Sequence, residues 1–184
     1  MRPPAAVVSV RPARVDEAPA VAAVQVAAWR ADHVLADARL DMLDLADLTA
    51  TWDLAVRAAP SPRHRVLVAL EGEQVCGMAA MAPSDDPDAD PDHEAELLTL
   101  HVDPEHRASG HGSRLVAAAA EIARSDGFSM LAHWVVSDDD RTRLFFTEHG
   151  FGPDGAYREL DLDGDGSVVV RQVRLHTSLE EERA

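Results

Sequence analysis

One stretch of the chain decides its fold: residues 94–124, EAELLTLHVDPEHRASGHGSRLVAAAAEIAR. Its first part, Glu94–Val102, predicts a strand that is stopped by Pro104. Its last part, Gly112–Arg124, has apolar residues at helical spacing and predicts a helix. Between them lies the glycine-containing segment Arg107–Gly112. The stretch therefore predicts a strand, a tight loop and a helix in succession.

A loop of this kind at the start of a helix predicts an anion site. The first backbone N–H groups of a helix have no partner within it, and the helix dipole favours negative charge there. Gly110 and Gly112 would let a phosphate approach the backbone closely. The spacing is not that of a dinucleotide fingerprint, and the ending of a P-loop is absent. Taken alone, the loop fits a plain tight turn equally well.

The flanking sequence predicts a mixed α/β domain that fills residues 1–184 around one central sheet, with no internal repeat. Asp16 is the expected N-cap of the first helix, and residues 31–59 carry a second helical pattern. The further predicted elements are strands at Val7–Val10, Arg65–Leu70, Gln74–Met81 and Met130–Val136, a helix at Arg141–His149, and a hairpin of Tyr157–Leu162 with Ser167–Leu175.

Length and charge exclude several classes of protein. The 184 residues fit one domain, and 46% hydrophobic residues suffice for a core. The formal charge of −16 argues against nucleic acid or an anionic membrane as partner. Cys76 is the single cysteine, so no internal disulfide forms. The first residues lack a signal-peptide core, and no apolar run reaches the length of a membrane span, so we expect a cytoplasmic protein.

Several segments, in order, resemble the GCN5-related N-acetyltransferase (GNAT) family. Arg107–Gly112 is similar to the family's pyrophosphate loop, (Q/R)-x-x-G-x-(G/A), and Leu97–Pro104 to its fourth strand with a proline exit. Trp134–Phe151, WVVSDDDRTRLFFTEHGF, resembles the family segment W-V-L-x-x-N-x-R-A-R-x-F-Y-x-x-x-G-F. Arg11–Ala13 and Ala28–Arg30 are similar to its first strand and helix. The resemblance extends from about Val7 to Leu175.

The resemblance implies a GNAT acyl-CoA N-acyltransferase fold: a mostly antiparallel mixed sheet of about seven strands with about four helices, in which strands four and five splay apart. It implies acetyl-CoA as co-substrate and transfer of acetyl to a primary amine of a small molecule or a protein N-terminus. The pantetheine arm would pair with strand four in the manner of an added strand. The cofactor-binding residues it implies are Leu100, His101, Val102, Arg107, Ala108, Ser109, Gly110, His111, Gly112, Ser113, Asp139 and Phe146.

The chain departs from the family at two positions. Phe146 stands where the family usually has a tyrosine that is proposed to protonate the leaving thiolate, and Asp139 (or Asp140, with a slip of one residue) stands at the family asparagine. Phe146 cannot donate a proton, and Tyr157 aligns after the motif. Water can protonate the thiolate instead, because a thiol of pKa near 8.5 is a tolerable leaving group. A GNAT-fold acyl-CoA-binding or regulatory module with little turnover is the alternative.

Glu96 is the candidate base, since many relatives carry the base or a water-holding residue at this place in strand four. A solvated carboxylate at the strand end is the other interpretation. His101 and His133 are further candidates, although each also fits a half-buried histidine of the sheet. Trp29 either lines the acceptor pocket or packs in the core.

The sequence predicts no metal site. The acidic run from Asp161 to Gly166 copies half of a calcium loop, but Gln172 occupies the position of the expected bidentate glutamate, so we predict a hairpin turn there. Neither the amine acceptor nor the formation of a homodimer follows from the sequence.

Overall fold

The computed structural model of the protein describes residues 8–34, 36–161, 166 and 168–180. Val7, the first residue of the predicted first strand, lies outside the described residues. Asp163 and Asp165, which carry the predicted acidic turn and its calcium alternative, also lie outside them.

The described residues form seven strands and five α-helices of a mixed α/β protein. The strands are β1 (Val8–Pro12), β2 (Arg65–Glu71), β3 (Gln74–Pro83), β4 (Glu94–Val102), β5 (Met130–Val136), β6 (Gly152–Asp161) and β7 (Val169–Ser178). The helices are α1 (Ala18–Ala31), α2 (Asp37–Asp41), α3 (Leu45–Arg57), α4 (His111–Ser125) and α5 (Asp140–Glu148).

The seven strands belong to one mixed sheet in the order β1-β2-β3-β4-β5-β7-β6. Strand β4 is parallel to β5, whereas β1 with β2, β2 with β3, β5 with β7, and β6 with β7 are antiparallel. The ladder between β4 and β5 joins Glu94–Glu96 to Met130–Ala132 and ends there, although both strands continue. The predicted fold class is confirmed.

The chain divides into two compact units, one of residues 1–81 and 99–119 and the other of residues 82–98 and 120–184. In the first unit, α1 buries its apolar face, with Val21 and Val24 packed against Val68 and Met78. The sequence spacing of Val21, Val24 and Ala28 predicts that they share one helical face. Trp52 of α3 packs against the same cluster, and its indole Nε1 donates to Gln25 Oε1 at 2.8 Å.

In the second unit the core lies along β5, which is buried from Leu131 to Val135. Alternate side chains of a strand point to opposite faces, so both faces of this part of β5 are covered. Phe146 of α5 and Leu175 of β7 are buried with it. The absence of hydrophobic alternation in β5 predicts this arrangement.

Several predicted boundaries were wrong by a few residues. Asp16 is not the N-cap of α1, because residues 15–17 form a 3₁₀ turn and the helix begins at Ala18. The carboxylate of Glu17 accepts the backbone N–H of Arg14 at 2.7 Å and binds Arg11, which tightens this turn. The helical pattern of residues 31–59 resolves into α2 and α3, and Asp44 caps α3 by accepting from the backbone N–H of Ala46 at 2.7 Å.

Candidate active site

The segment Arg107–Ser113, here called the glycine loop, has the backbone that an anion site needs. It follows the 3₁₀ turn Pro104–His106 and enters α4, whose 15 residues extend from His111. Ala108 (φ +60°) and Gly110 (φ +80°) both adopt the left-handed conformation. Such residues turn successive backbone N–H groups toward a common point and form an anion-binding concavity. The amides of the first turn of α4 have no partner within the helix.

Two arginines fix the glycine loop. Arg107 binds Asp32, which follows α1, through two Nη–Oδ contacts of 2.7 Å, and its Nε donates to the carbonyl of Val102 at 3.4 Å. Much of its charge is thus neutralised within the protein. Arg114, which the sequence analysis did not single out, donates from Nη1 to the carbonyl of Ser109 at 3.0 Å and is exposed. It is a second cation at the loop.

His101, in the second half of β4, is held neutral at physiological pH. Burial lowers its pKa to about 4, although the charge of Asp32 opposes the shift. Its Nε2 lies 2.8 Å from the hydroxyl oxygen of Thr99. Trp29 meets the imidazole edge to face, with ring centroids 6.2 Å apart. A group of such low pKa is a poor base for an ammonium near pH 7, so the burial of His101 disfavours it as the catalytic base.

Glu96 lies in β4 at the last position of the ladder with β5 and is 4% exposed. Its Oε2 has no hydrogen-bond partner among the described residues, and its Oε1 is 4.0 Å from Nη2 of Arg158. Burial raises the pKa of this carboxyl to about 7; the charges of Asp86 and Asp85 add to the rise, and Arg158 and Arg174 oppose it. Glu96 is therefore not a solvated carboxylate at a strand end.

Asp86 ties the segment Pro83–His93 to strands β5 and β7. It accepts from the indole Nε1 of Trp134 at 3.0 Å and from Nη1 of Arg174 at 3.2 Å. Arg174 also binds Asp88 and Asp154, at 2.7 and 2.6 Å. The Asp, Pro and Ala residues that fill this segment predict a solvated loop, but these contacts anchor it. No local motif connects residues so far apart in the chain.

Trp134 has a cation at its ring. The guanidinium carbon of Arg158 lies 4.4 Å from the ring centroid, and that of Arg174 lies 5.6 Å from it. Such contacts stabilise an arginine against an indole by about 1 kcal/mol. They also hold Arg158 next to Glu96. Arg158 also donates from Nε to Oε1 of Gln172 in β7 at 2.7 Å, so β5 and β7 together keep in place the charge that counteracts the desolvation of Glu96.

At the end of the β4–β5 ladder, the imidazole of His133 replaces a strand hydrogen bond. Its Nδ1 lies 2.6 Å from the carbonyl oxygen of Leu97, and because a carbonyl can only accept, Nδ1 carries a proton. The ring packs on Phe146 with centroids 4.3 Å apart, and Phe151 contacts Phe146 at 5.1 Å. Phe146 is 1% exposed.

Asp139 caps α5 by accepting from the backbone N–H of Thr142 at 2.9 Å.

The predicted site residues thus fall into two groups. The glycine loop, Leu100, His101, Val102 and Trp29 belong to the first unit. Glu96, Asp139 and Phe146 belong to the second unit. Strand β4 carries members of both groups.

Comparison with known families decides what this arrangement is. A sequence model of the acetyltransferase (GNAT) family matches residues 28–151. The chain belongs to the GNAT family. The match contains β4, the glycine loop, α4, β5 and α5, and so includes every GNAT element that carries a predicted cofactor-binding residue.

Solved structures share the fold of this GNAT protein at low sequence identity. YncA of Salmonella typhimurium, whose structure contains its cofactor acetyl-CoA, is 18% identical with a TM-score of 0.71, and the alignment covers 97% of each chain. PaiA N-acetyltransferase of Thermoplasma acidophilum, in complex with coenzyme A, is 15% identical with a TM-score of 0.69, over 94% of this chain and 99% of that one.

A third relative is the ribosomal-protein-alanine N-acetyltransferase of Brucella melitensis, 21% identical with a TM-score of 0.71, over 92% of this chain and 99% of that one. At these identities the likeness establishes the fold. Among curated proteins, none matches the sequence. In the described part of the chain, no helix combines the length and the hydrophobicity that crossing a bilayer requires.

Proposed function

We propose that this GNAT protein is an acetyl-CoA-dependent N-acetyltransferase that acts in the cytoplasm on a primary amine of a small molecule or of a protein N-terminus. Membership of the family supports the reaction class. The observation that carries the proposal is Glu96, a buried carboxylate whose pKa of about 7 suits a base working near neutral pH.

The glycine loop fits the diphosphate of coenzyme A. Its left-handed residues, Ala108 and Gly110, and the free amides at the start of α4 provide donors for a dianion. Leu100, His101 and Val102 are the proposed backbone partners of the pantetheine arm. When bound, acetyl-CoA supplies an activated acetyl thioester. The structures of YncA with acetyl-CoA and of PaiA with coenzyme A support this choice of co-substrate.

Glu96 removes the proton of the acceptor's ammonium, directly or through one water, and leaves a nucleophilic amine. A pKa of about 7 lets Glu96 ionise near neutral pH, so the base does not need alkaline conditions. Water protonates the departing thiolate, since the ring of Phe146 has no proton to donate. Holding the amine in line with the thioester provides the rest of the acceleration.

The acceptor is expected to carry a positive charge. Carboxylate oxygens of Asp85, Asp86 and Glu96 lie within 4.8 Å of one another. Arg158 and Arg174 lie against Asp86 and Glu96, but Asp88 and Asp154 also bind Arg174, so carboxylates are in excess here and the potential is negative. An ammonium would be attracted there, and its charge would lower the pKa of Glu96 as it arrives.

The test is release of free thiol from acetyl-CoA in the presence of a panel of amines: amino acids, polyamines and short peptides with free N-termini. We expect at least one class to support turnover. In Glu96→Gln, kcat/KM at neutral pH should fall by about 10²-fold or more, while acetyl-CoA should raise the Tm as much as in the wild type. Unchanged turnover in this variant would remove Glu96 as the base.

Phe146 favours a second candidate, an acyl-CoA-binding or regulatory module with little turnover. Its ring is enclosed by His133 and two phenylalanines, and nothing in that set replaces the family's hydroxyl. A Tm shift with acetyl-CoA but no thiol release with any amine would support the module. Phe146→Tyr separates the two: it should raise turnover several-fold in an enzyme that lacks only its acid. In a module it should only cost about 1–3 kcal/mol of stability.

A further inference from the structure

Three side chains with metal-ligating atoms converge inside the first unit. They are Glu71 at the end of β2, Cys76 near the start of β3, and His111, the first residue of α4. One ligand atom from each lies within 4.8 Å of the other two. The sequence predicts no metal site, because a spacing of five residues followed by 35 more is not a known ligand pattern.

The imidazole of His111 is buried with both ring nitrogens unpaired in the described part of the chain. Its side chain is 0% exposed, and neither Nδ1 nor Nε2 has a hydrogen-bond partner among the described residues. Within the cluster, Oε2 of Glu71 is 3.7 Å from Nε2, beyond hydrogen-bond range. A buried imidazole left without partners destabilises the folded state. Such a residue calls for a ligand that supplies the missing interaction.

Cys76 is equally enclosed. It is 0% exposed, and the closest acceptor of its thiol, the carbonyl of Gln74, is 3.5 Å from Sγ. A cation at the cluster would favour the thiolate form of Cys76.

We propose that Glu71, Cys76 and His111 bind a Zn²⁺ ion through a carboxylate oxygen, the thiolate sulfur and an imidazole nitrogen, with water in the fourth position. Tetrahedral zinc with bonds of about 2.0–2.3 Å places its ligand atoms roughly 3.3–3.6 Å apart. The 3.7 Å between Nε2 and Oε2 is near this spacing, so small side-chain rotations complete the site. The thiolate and the carboxylate together neutralise the two charges of the ion.

The ion has a structural consequence that is separate from acetyl transfer. Glu71 and Cys76 flank the turn of the β2–β3 hairpin, and His111 begins the helix that follows the glycine loop. Zinc would therefore fasten the hairpin to the start of α4. Binding to the folded state alone raises the apparent stability by mass action.

The experiment uses the full chain, treated with a chelator and then titrated with ZnSO₄ by calorimetry, and with Co²⁺ by absorption spectroscopy. We expect one equivalent of Zn²⁺ to bind and the Tm to rise by several degrees. Co²⁺ should give the intense near-ultraviolet band of a cobalt–thiolate bond, which Cys76→Ser should lack. Glu71→Gln should weaken Zn²⁺ binding by about tenfold or more. Glu73→Gln, which removes an exposed carboxylate of the same hairpin, should bind like the wild type.

Failure to bind one equivalent of Zn²⁺, or a Co²⁺ complex without the thiolate band, would overturn the proposal. So would equal Zn²⁺ affinities of Glu71→Gln and Glu73→Gln. If Cys76→Ser does not fold, Glu71→Gln still decides, because the side chain of Glu71 is 40% exposed and its loss leaves the core intact. Thiol release in the amine panel is read separately and does not depend on any of these outcomes.

Discussion

The protonation of Glu96 should make the free energy of unfolding of the protein depend on pH, and Glu96→Gln should remove that dependence. Burial raises the pKa of this carboxyl from an ordinary 4.5 to about 7. The folded protein therefore holds the Glu96 proton more tightly than the unfolded chain does. The resulting stabilisation is fully present below pH 4.5 and is lost as the pH rises through about 7.

The size of the effect follows from the shift. The difference between 4.5 and about 7, at 1.36 kcal/mol for each unit, corresponds to about 3 kcal/mol across the window. A glutamine cannot ionise. Between pH 4.5 and pH 8 the free energy of unfolding of the wild type should therefore fall by about 3 kcal/mol relative to that of Glu96→Gln. In a chain of this length that corresponds to a relative fall in Tm of roughly 6–12 °C.

The assay is urea unfolding of both proteins in steps of pH, read as the difference between them so that other titrating groups cancel. Glu159→Gln is the matched control for the loss of one carboxylate, because Glu159 is an exposed residue of the same unit. A Glu96→Gln difference that stays flat from pH 5 to pH 8 would refute the reasoning, since a buried carboxyl of raised pKa cannot behave in that way.

Three further predictions follow from the same contacts. Arg158→Gln removes a cation that lowers the pKa of Glu96, so the acid limb of the pH–rate profile should move to higher pH; an unmoved limb would contradict this. Gly110→Ala puts a side chain at φ +80° in the glycine loop and should weaken acetyl-CoA binding, measured by calorimetry, about tenfold. Gly127→Ala, at φ +90° beyond α4, should lower the free energy of unfolding by as much as Gly110→Ala does but leave acetyl-CoA binding unchanged. Arg174→Gln leaves three carboxylates without their shared partner and should lower the free energy of unfolding by about 2–3 kcal/mol at pH 7; a loss under about 0.5 kcal/mol would show that the network is not stabilising.

Local signals in the sequence were enough for the elements that place the glycine loop. The bounds of β4 and β5 agree with the predicted Glu94–Val102 and Met130–Val136, because a proline or glycine-rich turn and a sustained apolar run are local features. Local signals did not locate the start of the first helix. Asp16 looked like an N-cap by residue type, but the bond from Arg11 to Glu17, which involves β1, sets where the helix begins.

The identity of a base candidate also followed from sequence, but its chemistry did not. Glu96 was singled out by its place in strand four, a property of order along the chain. Whether that carboxylate is solvated or buried depends on Arg158 and Asp86, which come from β6 and from the segment after β3. A pKa of about 7 results from their positions together with the loss of solvent.

By itself, the sequence determined the succession of strands and helices, and its ordered motifs resemble those of the GNAT family. These depend on residue spacing over one turn or one strand, where backbone sterics and hydrophobic periodicity act. The tertiary structure alone decided that Asp86 and Arg174, 88 residues apart, share an ion pair, and that Glu71, Cys76 and His111 meet around one buried point. Coulombic interaction, desolvation and metal coordination act over a few ångströms in space, whatever the distance along the chain.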